Sequence, residues 1–183
     1  MLGALVRRIP TAKFLATKLK KKKTYWESRS GMNYYKEVLS LARKYAPGAK
    51  SIVDVGSFYT PFINRFGWIE EKVSLDLRLG YLEGARVIRA DFYKWKPDKK
   101  YDLVICLQVL EHLEKPEIFA RKLLKTGRVV IISVPYKWKR GLYHRHIQDP
   151  VDEKKIIKWV GKNWKEHLIV EDNGLKRLIA VFK

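Results

Sequence analysis

A chain of 183 residues, 46% hydrophobic and 13% aromatic, fits one globular domain with a substantial core. Lys and Arg number 39 against 19 Asp and Glu, a net charge of +20 that favours anionic partners: nucleic acid, phospholipid headgroups or acidic glycans. The single cysteine, Cys106, excludes an internal disulfide framework and a cysteine-rich zinc site, and no apolar run approaches the roughly 18 residues that span a bilayer.

Residues 1–29 carry nine basic side chains and one acid, Glu27. Leu5, Val6 and Ile9, then Ala12, Leu15, Ala16 and Leu19, follow helical spacing around Pro10, and Lys20 to Lys23 form a basic run. This predicts a basic arm over residues 1–30 ahead of a domain over 31–183. Such an arm either lies on an anionic surface, RNA or membrane, or packs on its own domain. Arginines inside the apolar patch and the lack of a convincing cleavage site argue against a signal peptide, so the expected location is cytoplasmic, with the arm able to hold the protein at a membrane face.

Met32 to Tyr45 predicts a helix with an apolar stripe of Tyr35, Val38, Leu39, Leu41, Ala42 and Tyr45, ended by Pro47-Gly48. The apolar run Ile52 to Val55, interrupted only by Asp54, predicts a buried parallel strand. It breaks at Gly56-Ser57, and Thr60-Pro61 predicts a helix start with Thr60 as N-cap. Strand, tight glycine turn and helix N-terminus form the unit that binds nucleotide-like cofactors in doubly wound sheets. The acid expected about 20 residues later, to hold a ribose hydroxyl pair, is Asp76 in Val73 to Leu77. Phe58 and Thr60 stand where further glycines would admit a pyrophosphate, which argues against NAD or FAD and for a cofactor without phosphates.

Further strands are predicted at Arg86 to Ala90, Tyr101 to Leu107 and Val129 to Val134, with a helix from Pro116 to Lys125 stopped by Gly127. A loop rich in aromatic and basic residues runs from Pro135 to Pro150, and Asp152 caps a helix through Val160. His167 to Glu171 and Leu175 to Phe182 are strand-like, joined by the hairpin turn Asp172-Asn173-Gly174. The pattern is five α/β units, then a helix and an antiparallel pair: a doubly wound, Rossmann-like, mostly parallel seven-stranded sheet ending in an antiparallel hairpin.

That order is similar to the class I S-adenosylmethionine-dependent methyltransferases. Val53 to Ser57, VDVGS, resembles their first motif; Ala90-Asp91-Phe92 resembles the stretch that meets the adenine; ISVPY at 132–136 resembles the end of their fifth strand. YDLVICLQVLEHLEKP at 101–116 is the nearest match, and VLEHL at 109–113 resembles the branch containing ubiquinone-biosynthesis-like and other small-molecule enzymes. The resemblance implies S-adenosylmethionine as cofactor, with Asp54, Gly56 and Ser57 at the methionine end, Asp76 and Leu77 at the ribose, Asp91 and Phe92 at the adenine, and Gln108 near the methionine moiety.

Methyl transfer aligns nucleophile, methyl and sulfur and often removes a proton. Candidates for the base are His112, at the carboxyl end of the fourth strand, and His144, His146 and Asp149 in the loop YHRHIQDP, which is long enough to act as a lid. His-x-His with a nearby Asp can also hold a divalent metal, but that spacing is common by chance and no metal site is assigned. Gln108-Val109-Leu110-Glu111 stands where amino-directed DNA methyltransferases carry Asn/Asp-Pro-Pro-Tyr, and no catalytic cysteine motif appears. The expected reaction is therefore O-methylation of a small-molecule or sugar hydroxyl. The alternatives are an RNA acceptor, or a weakly catalytic module docking on nucleic acid or anionic membrane through its basic surface.

Overall fold

The structure, a computed structural model, describes residues 24–78 and 80–183. The predicted amphipathic stretch over residues 5–19 and the run Lys20 to Lys23 lie outside the described residues. Seven strands form one sheet in the order β3-β2-β1-β4-β5-β7-β6. They are β1 (Ser51–Val55), β2 (Glu71–Asp76), β3 (Arg86–Arg89), β4 (Tyr101–Leu107), β5 (Gly127–Pro135), β6 (Glu166–Asp172) and β7 (Leu175–Phe182). The first five are parallel, while β7 runs antiparallel to both β5 and β6. The sheet and its terminal hairpin are those expected from the sequence.

Both faces of the sheet are covered, which is why β1 and β5 read as nearly unbroken apolar runs. Val53 and Val55 of β1 join Val104, Val130 and Leu178 in a core under helices α2 (Pro116–Thr126) and α3 (Glu153–Val160). Ile52 joins Leu103, Ile131 and Ile179 in a second core under α1 (Asn33–Tyr45). The period-two alternation along each strand assigns its side chains to one core or the other. No helix among the described residues is long and apolar enough to cross a membrane.

The crossovers differ from the five α/β units expected. The β1–β2 connection holds only a five-residue 3-10 helix, Pro61–Arg65, and β2–β3 and β3–β4 are joined without an α-helix. The Thr60 hydroxyl does not cap that helix; it donates to the Ser57 carbonyl at 2.7 Å and closes the preceding turn. Gly127 likewise ends α2 for another reason than a left-handed stop. Its backbone is extended, it is the first residue of β5, and a Cβ there would lie 2.4 Å from Val104 Cγ2. Residues 24–30 pack on the domain: Trp26 meets Tyr35 edge-on at 5.4 Å, and Arg65 donates to the Ser30 carbonyl.

The N-cap of helix α1 is Met32, whose side chain cannot cap. Asp172, at the end of β6, supplies the missing acceptor from 139 residues away. Its Oδ1 accepts from Asn33 N–H at 2.7 Å and its Oδ2 from Tyr34 N–H at 3.0 Å, with the buried Arg177 guanidinium 3.9 Å from Oδ2. A carboxylate beside a helix N-terminus satisfies orphan donors and complements the dipole. Asp172→Ala should therefore lower the unfolding free energy by about 2–3 kcal/mol, with Asp172→Asn intermediate. Urea denaturation checks this, and an unchanged midpoint would mean the long-range cap contributes nothing.

Candidate active site

The turn after β1 is fixed by contacts to β2 and to the turn after β4. Gly56 has φ of 79°, its N–H donates to the Leu75 carbonyl at 2.8 Å, and a Cβ would meet Val109 Cγ2 at 2.5 Å. Only glycine combines this backbone with this approach. Ser74 Oγ donates to Ser57 Oγ at 2.7 Å, tying the turn to β2. Phe58 N–H donates to Asp76 Oδ2 at 2.9 Å, while Arg78 N–H donates to Asp76 Oδ1 at 2.9 Å. Asp76 thus holds the loop in shape, and its two oxygens retain acceptor capacity for a ligand.

Above this turn opens a cavity of about 900 Å³. It lies beyond the carboxyl ends of β1, β2 and β4, at the β1/β4 point where the strand order reverses, which is where doubly wound sheets take their ligands. Asp54, Gly56, Ser57, Asp76, Leu77 and Gln108 line one side. Asp54 is 3% exposed, and no described residue hydrogen-bonds its carboxyl. Burial, with the Asp76 charge adding to it, pushes its pKa up to about 8. Gln108 sits at φ 58°, with its N–H donating to the Ser133 carbonyl at 2.9 Å and Nε2 to Ser133 Oγ at 3.2 Å.

The other side is a cluster of acids and imidazoles. A 3-10 turn, Leu110–His112, follows β4 and turns Glu111 inward and His112 toward the cavity. Glu111 is fully buried, and neither carboxylate oxygen has a hydrogen-bond partner among the described residues. Burial raises its pKa to about 8, and the nearby Asp149 charge acts in the same direction. His112 Nδ1 lies 2.9 Å from the Arg145 carbonyl, to which it donates, and loss of water around the ring lowers its pKa. His146 Nδ1 donates to Asp149 Oδ2 at 2.9 Å; the two imidazoles meet edge-to-face at 4.7 Å. Trp138 and Tyr143 stack on His146 at 5.5 and 5.1 Å. One ligand atom from each of Glu111, His112 and His146 falls within 4.8 Å of the others, so these three could hold a metal ion.

The loop from Pro135 to Pro150 is tied to β7 and to the turn after β4. Trp138 Nε1 donates to the Lys176 carbonyl at 2.7 Å, Lys137 N–H to Val151, and both Ile147 and Gln148 N–H to the Glu111 carbonyl. Asp149 is buried against His146 and does not cap α3; Asp152 does, accepting from Lys155 N–H at 2.9 Å. The fold therefore brings His112, His146 and Asp149 together, while His144 lines the cavity on an exposed edge. Asp91 and Phe92 are not among the cavity's lining. Phe92 is 3% exposed in the core, packed on Phe119 at 4.6 Å, and Asp91 accepts from Tyr93 N–H at 2.9 Å. Sequence reasoning missed Tyr25 and Arg29, which reach the cavity from the segment ahead of α1, and the buried Glu111. The Glu-His pair after a buried strand was the one available signal for the latter.

No protein-family model matches the chain. A 91-residue segment, 48% of the chain, is 31% identical to a ubiquinone biosynthesis O-methyltransferase of Rickettsia typhi and spans 33% of that protein. The counterpart from Rickettsia bellii is 35% identical over 69 residues, 36% of this chain and 27% of that protein. Among solved structures, the magnesium protoporphyrin IX methyltransferase of Synechocystis with bound S-adenosylhomocysteine has a TM-score of 0.61 at 17% identity, covering 81% of this chain and 80% of that one. The N-methyltransferase NodS of Bradyrhizobium japonicum, also with S-adenosylhomocysteine, has a TM-score of 0.64 at 12% identity over 88% of both chains. A Burkholderia thailandensis 1,6-didemethyltoxoflavin N1-methyltransferase has a TM-score of 0.66 at 13% identity, covering 83% of this chain and 78% of that one. The fold is that of the class I S-adenosylmethionine-dependent methyltransferases.

Asp54 makes a stability prediction. Its folded pKa of about 8 lies above the ordinary 3.8, so between the two values the folded state keeps a proton that the unfolded chain has lost. Stability then falls as pH rises through that window. Asp54→Asn should raise the thermal midpoint at about pH 8, with the difference vanishing near ~pH 3.5, where both states are protonated. Scanning calorimetry of both proteins across this range checks it; a pH-independent difference would mean that Asp54 is ionised in the fold.

Proposed function

We propose that this chain binds S-adenosylmethionine in the switch-point cavity and transfers its methyl group to a hydroxyl of a small molecule. The observation that carries the reading is the cavity itself, which sets Asp54, Gly56, Asp76 and Gln108 opposite His112 and His146. Its volume suits a ligand of drug size or somewhat more. The residues fit the cofactor's methionine end in particular: Asp54 is a buried carboxyl in the wall with no hydrogen-bond partner among the described residues, suited to an ammonium group. The cofactor's sulfonium supplies an activated methyl for in-line displacement.

The chain's own residues bind, orient and exclude water. Asp54 pairs with the amino group and Asp76 accepts from the ribose hydroxyls through its remaining lone pairs. Asp91 and Phe92 are not among the residues lining the cavity, and no cofactor contact is assigned to them here. Trp138 and Tyr143 offer flat faces to an acceptor ring, and His112 is the base on the acceptor side, held by the Arg145 carbonyl so that Nε2 is open. Oxygen is favoured because the curated relatives are O-methyltransferases. The sugar or glycan hydroxyl remains within this reading, because aromatic walls also stack on sugar rings. An RNA hydroxyl is the second reading, favoured by Arg29, Arg78 and Arg145 at the cavity and by the net charge of +20.

Calorimetric titration with S-adenosylhomocysteine tests the cofactor. Saturable binding is expected, and Asp76→Ala should weaken it by about 1.5–3 kcal/mol through loss of charge-assisted hydrogen bonds. No binding at millimolar ligand would remove the reading. Label transfer from S-adenosylmethionine to a panel of phenols, sugars and RNA tests the acceptor, and label confined to RNA would select the second reading.

A further inference from the structure

The cluster beside the cofactor side of the cavity is built in an unusual way. Of the five buried side-chain nitrogens and oxygens without a hydrogen-bond partner among the described residues, three are carboxylate oxygens here: both of Glu111 and Oδ1 of Asp149. A buried carboxylate left unpaired is costly, and native structures rarely keep one without a ligand or a role for it. Arg177, though buried close by, does not resolve the matter. Its Nη1 is directed to Asp172 and to the Leu175 carbonyl, and no hydrogen bond joins it to Glu111.

The two imidazoles have the complementary arrangement. Each is held through Nδ1, His112 by the Arg145 carbonyl and His146 by the Asp149 carboxylate, both at 2.9 Å. A hydrogen bond from one ring nitrogen to a carbonyl or carboxylate fixes the tautomer in which the other nitrogen is a free donor of its lone pair to a metal. Trp138 and Tyr143, stacked on His146, lock the ring plane. Glu111, His112 and His146 all line the cavity, with ligand atoms within 4.8 Å of one another. Closing to the roughly 3.4 Å spacing of ligands around a tetrahedral zinc ion takes a side-chain adjustment of about an ångström.

The geometry points to a divalent transition-metal site formed by Glu111, His112 and His146, with Asp149 and the Arg145 carbonyl orienting the two imidazoles and one coordination position open to the cavity. Two imidazoles and a carboxylate suit zinc-like ions over magnesium or calcium, which prefer all-oxygen shells. The inference deepens the proposed function and rests on it for the site's use. There, with His112 Nε2 given to the ion and no longer serving as the base, an acceptor hydroxyl at the open position gives up its proton to solvent. Its oxygen then bonds to the methyl carbon as the carbon–sulfur bond breaks, with that electron pair remaining on sulfur.

The test uses Co²⁺ alone as probe on the full chain, read by its visible absorption and by calorimetry, with S-adenosylhomocysteine binding measured separately. Saturable, one-to-one Co²⁺ binding competed by Zn²⁺ is expected. His146→Ala should weaken it about 100-fold and Asp149→Asn about tenfold, each with cofactor affinity unchanged. Glu111→Gln is a third variant; if it does not fold, the two loop variants carry the test. Absence of Co²⁺ binding at millimolar concentration, or affinity unaltered in folded His146→Ala, overturns the site while leaving the cofactor reading intact. Co²⁺ binding with no S-adenosylhomocysteine binding supports the site and removes methyl transfer.

Discussion

Gly56 and Val109 meet where the sheet reverses its strand order, and the rest of the site depends on that contact. The 2.5 Å gap between a notional Cβ and Val109 Cγ2 leaves room for a hydrogen and nothing more. It brings the turn after β1 against the turn after β4, so the residues that would hold a cofactor and those that face an acceptor line one cavity. From Gly56 the constraint passes outward: Ser57 to Ser74, Phe58 to Asp76, and Gln108 to Ser133 on β5. Positive φ at Gly56, Phe58 and Gln108 shows how sharply both turns bend to make the cavity.

The terminal hairpin is the support for the acceptor side. Strand β7 offers the Lys176 carbonyl to Trp138 and to Tyr136, which fixes the start of the loop after β5. The same hairpin places Asp172 under the first turn of α1 and the Arg177 guanidinium between the rings of Tyr34 and Trp138, at 5.1 and 5.5 Å. Helix α1, the loop wall and the buried acids are therefore mechanically one unit. An antiparallel edge added to a parallel sheet contributes here less by its own burial than by what its turns and carbonyls hold.

The glycine turn, the acid after β2 and the run of strands were readable because each is local chemistry: a backbone that needs glycine, an apolar run of strand length, an Asp at a strand end. Thr60 and Gly127 were readable as boundaries and yet serve other ends, because a closed turn and a close packing contact look the same in sequence as a cap and a stop. Asp91 and Phe92 carry a familiar local pattern, but the side chain of Phe92 is drawn into the core by Phe119 and Trp95. Glu111 is the opposite case. In sequence it is one acid among 19 acidic residues, and only its complete burial beside His112, His146 and Asp149 makes it chemically distinct.

What the sequence by itself determined is the order of elements, the doubly wound sheet with its reversed last pair, and the edge on which ligands belong. Periodicity, glycine and proline are properties of consecutive residues, and they specify backbone paths. What only the tertiary structure decided is which side chains share a space: Asp172 with the N-terminus of α1 across 139 residues, His112 with His146 across the gap between β4 and the loop after β5, and Asp54 with no hydrogen-bond partner among the described residues. Those pairings, and the charges they favour or suppress, arise from burial, which no spacing rule encodes because it is the sum of everything packed around a group.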